Sequence, residues 1–349
     1  MAKIAVVVGN GLSMSFGAFT GLREAYNSQE PLTWNIKKPQ TGNMWLDYFP
    51  RLKSVYNNNQ GKSSFDILSL TLSEEHCKDI GIVQEHAKIE ARHYLTISFS
   101  HYSDLQRRNF STDWSWMKWF KLHKSDITAA YSLNYDLLLE TMLDEIDIKY
   151  HSAQVNHKKR GIPLVKPHGS VDFDSYITYI STPNGLEYPL QNWVDQNNAE
   201  IIRIDYEQLL QPRKQAHCII PTEQNKYVDY CWVNSAYREF HKAVMHLDYC
   251  VFIGVSYWKC DQIDLNKILK SIPQSCVIVI ANPYPPTDFL KRIEGRPYII
   301  WSNKNGPVDE NGNLLTLKCM MSGFKLPRCP CGSGVPRKYC HKCSVTETV

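Results

Sequence analysis

Long apolar runs are missing from this 349-residue chain: none approaches the ~20 residues that a bilayer span requires. The start, Lys3-Ile4-Ala5-Val6, reads as a strand and not as the apolar core of a signal peptide. Charge of one sign is scarce as well. The formal net charge is +4, and the basic residues are scattered apart from His157-Lys158-Lys159-Arg160. That run reads as a solvated loop, so no direct nucleic-acid partner is expected. A disulfide framework is absent too. Of eleven cysteines, Cys77, Cys218, Cys231, Cys250, Cys260, Cys276 and Cys319 are dispersed, most of them beside apolar residues. They read as reduced core thiols of a cytoplasmic protein. What is present is the balance of a soluble globular chain, 43% hydrophobic and 21% charged, with length for one large domain or two ordinary ones.

The organising stretch is Ile4-Ala5-Val6-Val7-Val8-Gly9-Asn10-Gly11-Leu12-Ser13. A β-branched run ending at a glycine pair predicts a buried parallel strand entering a tight turn. Gly9 permits a turn that a Cβ would obstruct, and Gly11 lets backbone approach a ligand. A helix opening after Ser13 would turn free amides and a positive dipole end toward that turn, where a pyrophosphate fits. The dinucleotide pattern wants a third glycine at 14, where the chain has Met14. Gly17 to Gly21 reads as a small loop, a flap over the turn.

From about residue 22 to 124 the pattern is helical, with apolar spacing in 44–49, 65–70 and 87–99 and in the tryptophan-rich 114–120. This predicts a helical insertion beside a sheet. The tryptophans read as a buried helix face and not as a stacking surface for bases. Strand logic returns at Ile127–Ser132, ending in Leu133-Asn134-Tyr135-Asp136. Polar residues at a parallel strand's end lie on the ligand edge of a doubly wound sheet, and Asp136 can also cap the following helix. Ile162–Val165 is a second short strand, ending in Lys166-Pro167-His168-Gly169-Ser170. Taken alone, a histidine there is more often structural than catalytic. Residues 175–212 read as a loop-rich excursion and 216–221 as another strand. The final third is regular: strands at 248–253 and 276–281 deliver Gly254-Val255-Ser256 and Asn282 to the same edge, with helices at 233–246 and 261–271. The expected fold is α/β, a Rossmann-like parallel sheet with helices on both faces.

Taken in order, four of these motifs resemble the sirtuin, or silent-information-regulator-like, family of NAD-using proteins. Gly9-Asn10-Gly11-Leu12-Ser13 with Gly17 is similar to the family's opening G-x-G-x-S-x-x-x-G. Asn134-Tyr135-Asp136 stands for its Asn-Ile-Asp turn, His168-Gly169-Ser170 for its catalytic His-Gly turn, and Gly254-Val255-Ser256 for its Gly-Thr-Ser turn. Asn282 matches the asparagine ending the next strand. The resemblance covers the framework from 1 to about 300 but not the insertion. The family's zinc module, two Cys-x-x-Cys pairs, has no counterpart between His168 and Gly254, and Ala18-Phe19-Thr20-Gly21 replaces its Pro-Asp-Phe-Arg. With Asn10 in place of the usual alanine, the chain looks more like the NAD-hydrolysing, sirtuin-like effectors of bacterial anti-phage systems such as Thoeris.

What the resemblance implies is cleavage of the nicotinamide–ribose bond of NAD+ through an oxocarbenium-like ribose. On this reading Asn134 orients ribose and water, Asp136 orders its turn, and His168 is the base. Gly9, Asn10, Gly11 and Ser13 would hold the pyrophosphate, and Gly254, Ser256, Asp261 and Asn282 the adenosine side. Silent until needed, such an enzyme is expected to work as a homo-oligomer or with a separate sensor, ATPase or nucleotide-binding subunit. The rival is a catalytically idle sensor of NAD or ADP-ribose; a protein deacylase is disfavoured by the missing cysteine pairs.

The domains expected are 1–325, containing the insertion at about 22–124, and a tail, 326–349. The tail holds Cys329, Cys331, Cys340, His341 and Cys343 and resembles the short zinc-binding SEC-C motif. Thiolates and imidazole suit a tetrahedral structural zinc, and so short a segment could hardly fold without one. Cys329, Cys331 and Cys340 with either His341 or Cys343 are the expected ligands. Metal analysis of the purified chain should therefore return about one zinc per chain, and Cys331→Ser should abolish it; stoichiometric absence of zinc contradicts the assignment.

Overall fold

Ile4–Val8 forms β1, and none of its five side chains is exposed. A central parallel strand covered on both faces has no solvent side, which is why its sequence is a continuous apolar run and not an alternation. The computed structural model describes residues 2–322 apart from 23–31, 39–40, 154, 156–159, 176–179, 183–184, 188–200, 212–215 and 222–229, with backbone alone at 175, 180–182, 185–187 and 321–322. The tail ligands Cys329, Cys331, Cys340 and His341, with Cys343, lie outside the described residues.

The first helix, α1, runs Asn10–Thr20 and begins at the turn itself, not after Ser13. It also passes through the stretch expected to be a flap. Gly17 is buried within it, and the left-handed Gly21 (φ 75°) ends it. Burial of Leu12 and Phe16 outweighs the poor helix propensity of its glycines.

The expected helical insertion follows as α2 (Pro50–Asn58), α3 (Ser64–Leu70), α4 (Glu74–Asp79), α5 (Gln84–Arg108) and α6 (Ser115–Leu122). The long α5 is buried along most of its length, polar residues included. Its Glu90 carboxylate accepts from the Arg51 and Leu52 amides at 2.7 and 2.9 Å, satisfying first-turn donors of α2 that have no helical partner. Burial pushes the Glu90 carboxyl up, with these bonds and the Arg51 side chain pulling it back. Trp114, Trp116 and Trp119 are buried in the core that α6 shares with the sheet.

Then come β2 (Ile127–Ser132), α7 (Leu138–Glu145), β3 (Tyr150–His151), β4 (Ile162–Val165) and the short strands β5 (Phe173–Ser175), β6 (Ile180–Thr182), β7 (Gly185–Glu187) and β8 (Ile201–Arg203). The described residues continue with α8 (Cys231–Val244), β9 (Tyr249–Ile253), α9 (Gln262–Ser271), β10 (Val277–Ala281), α10 (Thr287–Arg292), β11 (Tyr298–Trp301) and α11 (Leu317–Ser322). Residues 216–221, expected as a strand, form no ladder. Their apolar side chains Cys218 and Ile220 instead fill the core of the insertion, and the Ile219 amide donates to the His168 carbonyl at 3.0 Å.

Seven strands form one parallel sheet in the order β11-β10-β9-β1-β2-β4-β3. Ile4, Val6 and Val8 of β1 face α1, α6 and α7; Ala5 and Val7 face α8, α9 and α10. Helices therefore cover both faces, as the Rossmann-like reading expects. The chain builds outward from β1 to β2 and beyond, then returns to β9 on β1's other side. The carboxyl ends of β1 and β9 are thus the topological switch point, where open α/β sheets form their crevice.

At that point two turns lie backbone against backbone. The Gly11 amide donates to the Gly254 carbonyl at 2.9 Å. A Cβ on Gly11 would meet the Gly254 Cα well inside van der Waals contact and its carbonyl oxygen at 2.9 Å. The close approach expected of Gly11 is thus to protein backbone. Gly11→Ala should lower unfolding stability by about 1–3 kcal/mol through overpacking, measured by urea denaturation; an unchanged midpoint would show that the two turns can separate.

Candidate functional site

Five strand ends, those of β1, β2, β4, β9 and β10, supply the polar groups at this edge. After β2, the Asn134 amide group donates to the Gly9 carbonyl at 3.1 Å and to Ser13 Oγ at 3.3 Å. Ser13 Oγ in turn donates to Asp136 Oδ2 at 2.6 Å, and Gln106 of α5 reaches the same oxygen at 3.4 Å. Asp136 Oδ1 accepts from the Leu138 amide at 3.2 Å, so the residue also serves the start of α7. Asn134, Asp136, Ser13 and Gly9 therefore form one hydrogen-bonded set that ties the turn after β2 to the turn after β1.

Beneath it lies Lys166, whose side chain is fully buried. Its ammonium donates to the Asp136 carbonyl at 2.6 Å and to Glu140 Oε1 at 2.8 Å. Burial pushes the Glu140 carboxyl up, against the pull of Lys166 and Arg203. An ammonium held this way has few conformations left, and it fixes the backbone that carries Asn134.

His168 stands two residues beyond Lys166 and is 8% exposed. Its Nδ1 lies 3.3 Å from the Leu133 carbonyl and its Nε2 3.1 Å from Asp264 Oδ2. Both ring nitrogens thus face acceptors, an arrangement that favours the doubly protonated ring. Burial alone would lower the His168 pKa; hydrogen bonding and charge from Asp264, with Asp261 further off, outweigh it and carry the value above the ordinary histidine range. Gly169, with φ 89°, packs directly on the His217 carbonyl, and no Cβ fits there.

On the β9–β10 side, Asn282 donates to the Val255 carbonyl at 3.0 Å and accepts from the Tyr284 amide at 2.8 Å. Ser256 Oγ lies 3.4 Å from Asp261 Oδ2, at the start of α9. Burial raises the Asp261 pKa while His168 pulls it down. Gly254, Ser256, Asp261 and Asn282 form a second set, joined to the first through the Gly11–Gly254 contact.

The structure thus brings the separated motifs to one edge, with two particulars of its own. Ser13 is fully buried and its hydroxyl is engaged by Asp136, an interior role. Of the amides around the first turn, Gly9's goes to the Ile253 carbonyl and Gly11's to Gly254, while Asn10 is exposed at the start of α1. Residues outside the candidate set complete the site: Lys166, Glu140, Gln106 and Asp264. Only Lys166 has any mark in the sequence, as a charge between an apolar strand and a proline. A cavity of about 520 Å³, lined by Arg107, Glu140, Asp144, Tyr150, Arg203 and Tyr206 among others, contains none of the motif residues. Among the described residues no helix is long and apolar enough to cross a membrane, and no cluster of three or more His, Cys, Asp or Glu side chains could hold a metal.

No family model matches the chain, and no curated protein matches it. Solved structures that are similar include a Sir2 homologue mutant in complex with ADP-ribose, at 13% identity over 87% of each chain with a TM-score of 0.36. A Sir2 homologue–NAD complex aligns at 11% identity over 87% of this chain and 84% of that one, TM-score 0.32. A structure on sirtuin substrate affinity aligns at 11% over 86% and 89%, TM-score 0.35. The fold assignment rests on the strand order and parallel register given above.

The His168–Asp264 pair makes a pH prediction. A folded pKa above the unfolded one, about 6.5 for histidine, gives stability that is fully present below the unfolded value and lost as pH rises through the folded value. The stability advantage of the wild type over His168→Gln should therefore shrink from pH 6 to pH 9 in chemical denaturation. A gap that stays constant or widens contradicts the raised value.

Proposed function

We propose that the chain is an NAD+ glycohydrolase, releasing nicotinamide and ADP-ribose. The observation that supports this reading is the convergence of Asn134, Asp136 and His168 with the glycine turns of β1 and β9 at the switch point of the sheet. On the same reading Gly9, Asn10 and Gly11 flank the pyrophosphate, and Gly254, Ser256, Asp261 and Asn282 the adenosine half. Because its hydroxyl is engaged by Asp136, Ser13 would contribute by holding the two turns together.

The chemistry asks little of an acid, since the pyridinium leaves as neutral nicotinamide, taking the bonding pair. The ribose left behind is oxocarbenium-like, and a water adds to its C1 from the opposite face. Asn134, anchored to the Gly9 carbonyl, would orient the ribose and that water. His168 would accept the water's proton as the new C–O bond forms. In the arrangement described both ring nitrogens face acceptors, so a substrate hydroxyl or water must take the place of the Leu133 carbonyl before the ring can act as base.

Anti-phage defence by NAD depletion, with activation by oligomerisation or a sensor subunit, is the biological setting we propose for this activity. Residues 326–349 are proposed as a structural zinc module held by Cys329, Cys331, Cys340 and His341, suited to docking such a partner.

The test is nicotinamide release from NAD+ by the purified, activated protein and by its His168→Ala and Asn134→Ala variants. Loss of the base should cost about 100- to 10,000-fold in rate, and loss of Asn134 should lower the rate by more than tenfold. Rates within a factor of two of wild type overturn the assignment. Release that requires an acylated peptide would make the protein a deacylase.

A further inference from the structure

Asp264 lies in the first turn of α9 and is fully buried. Its two oxygens face different elements. Oδ1 accepts from Tyr131 of β2 at 2.7 Å and from the hydroxyl of Tyr237 in α8. Oδ2 faces His168 Nε2 at 3.1 Å. The two tyrosine hydroxyls hold the carboxylate from one side, so its second oxygen has a fixed direction. An ionised carboxylate can only accept, so the ring nitrogen opposite it must carry a proton whether the ring is charged or neutral. The other nitrogen, Nδ1, faces the carbonyl of Leu133, the residue that precedes Asn134.

We propose that Asp264 is the positioning residue of His168: it keeps the proton on Nε2 and leaves Nδ1, on the Asn134 side, as the nitrogen that gives and takes protons. The catalytic use of Nδ1 rests on the hydrolysis reading above; the tautomer does not. In the reacting ring the proton from water passes to Nδ1, the Nε2 proton stays with its bond to Asp264, and Asp264 remains ionised. The resulting imidazolium is stabilised by the adjacent carboxylate. Among the described residues, charged groups acting on the ring include Asp264 in α9 and, further off, Asp261 at that helix's start. Tyr131 and Tyr237 face the carboxylate.

The geometry dictates an informative variant. In Asp264→Asn the amide oxygen keeps both tyrosine hydroxyls and the amide NH2 faces Nε2. An NH2 only donates, so Nε2 becomes the acceptor and the neutral ring must carry its proton on Nδ1, toward Leu133. The basic nitrogen is then spent on the asparagine, while the shape of the site is retained.

Long-range 15N–1H spectra of the histidine-labelled full chain, taken above the ring's titration midpoint, read the tautomer directly. The expected result is a neutral His168 protonated on Nε2 in the wild type and on Nδ1 in Asp264→Asn. NAD+ cleavage by the variant should fall about 100- to 10,000-fold in kcat, with KM within threefold, as expected when a base is held in the wrong tautomer. A wild-type ring protonated on Nδ1, or a tautomer unchanged by the substitution, overturns the proposal. If the variant does not fold, the wild-type spectrum alone decides the tautomer. Should the tautomers be as expected while the activated wild type cleaves no NAD+, the hydrolysis reading falls and the assignment of Asp264 to the ring stands.

Discussion

Everything at the carboxyl edge of the sheet depends on the backbone contact between the turn after β1 and the turn after β9. Neither turn has a side chain in the contact, so the two can share a hydrogen bond from the Gly11 amide to the Gly254 carbonyl. That bond sets how closely the ends of two adjacent parallel strands approach, and with it the width of the crevice at the switch point. The remaining polar groups are fixed relative to this seam: Asn134 by its bond to the Gly9 carbonyl, Asn282 by its bond to the Val255 carbonyl.

Around the seam the protein buries charge, which requires compensation at each group. Lys166 is matched by Glu140 and two carbonyls, and Asp264 is matched by two hydroxyls and an imidazole. In each case the partners come from other segments of the chain. Such sets fix geometry well because losing one member leaves another unpaired in a low-dielectric interior. They are found where the side chains proposed to act on substrate need a single orientation.

The sheet was legible where strands were apolar runs ending in polar or glycine residues, as in Ile4–Val8, Ile127–Ser132, Tyr249–Ile253 and Val277–Ala281. Full burial of parallel strands imposes that composition. The insertion was legible because its apolar residues recur at helical spacing. The first helix was legible only in part: a helix was expected after Ser13, but Gly11 read as turn and Gly17 as the start of a loop; burial of Leu12 and Phe16 supplies what local propensity does not. Residues 216–221 carried a strand's composition, but their apolar side chains Cys218 and Ile220 found a core to fill and not a ladder to join. Asp264 had no local pattern to betray it, because its imidazole partner is 96 positions away in sequence. The resemblance motifs gave the neighbourhood of the site; the buried carboxylates and the ammonium that hold it in shape are visible only in three dimensions.

The long helix α5 sends two side chains across to the turns at the carboxyl edge of the sheet. The Tyr102 hydroxyl donates to the Ser13 carbonyl and the Gln106 amide to Asp136, while Tyr135, just beyond β2, is buried in the helical layer's own core. The helical layer is therefore no detachable lid. Excising it to obtain a minimal sheet protein would strip donors from the first turn and uncover an aromatic ring, so the two layers form a single cooperative unit that cannot be exchanged piecemeal between scaffolds.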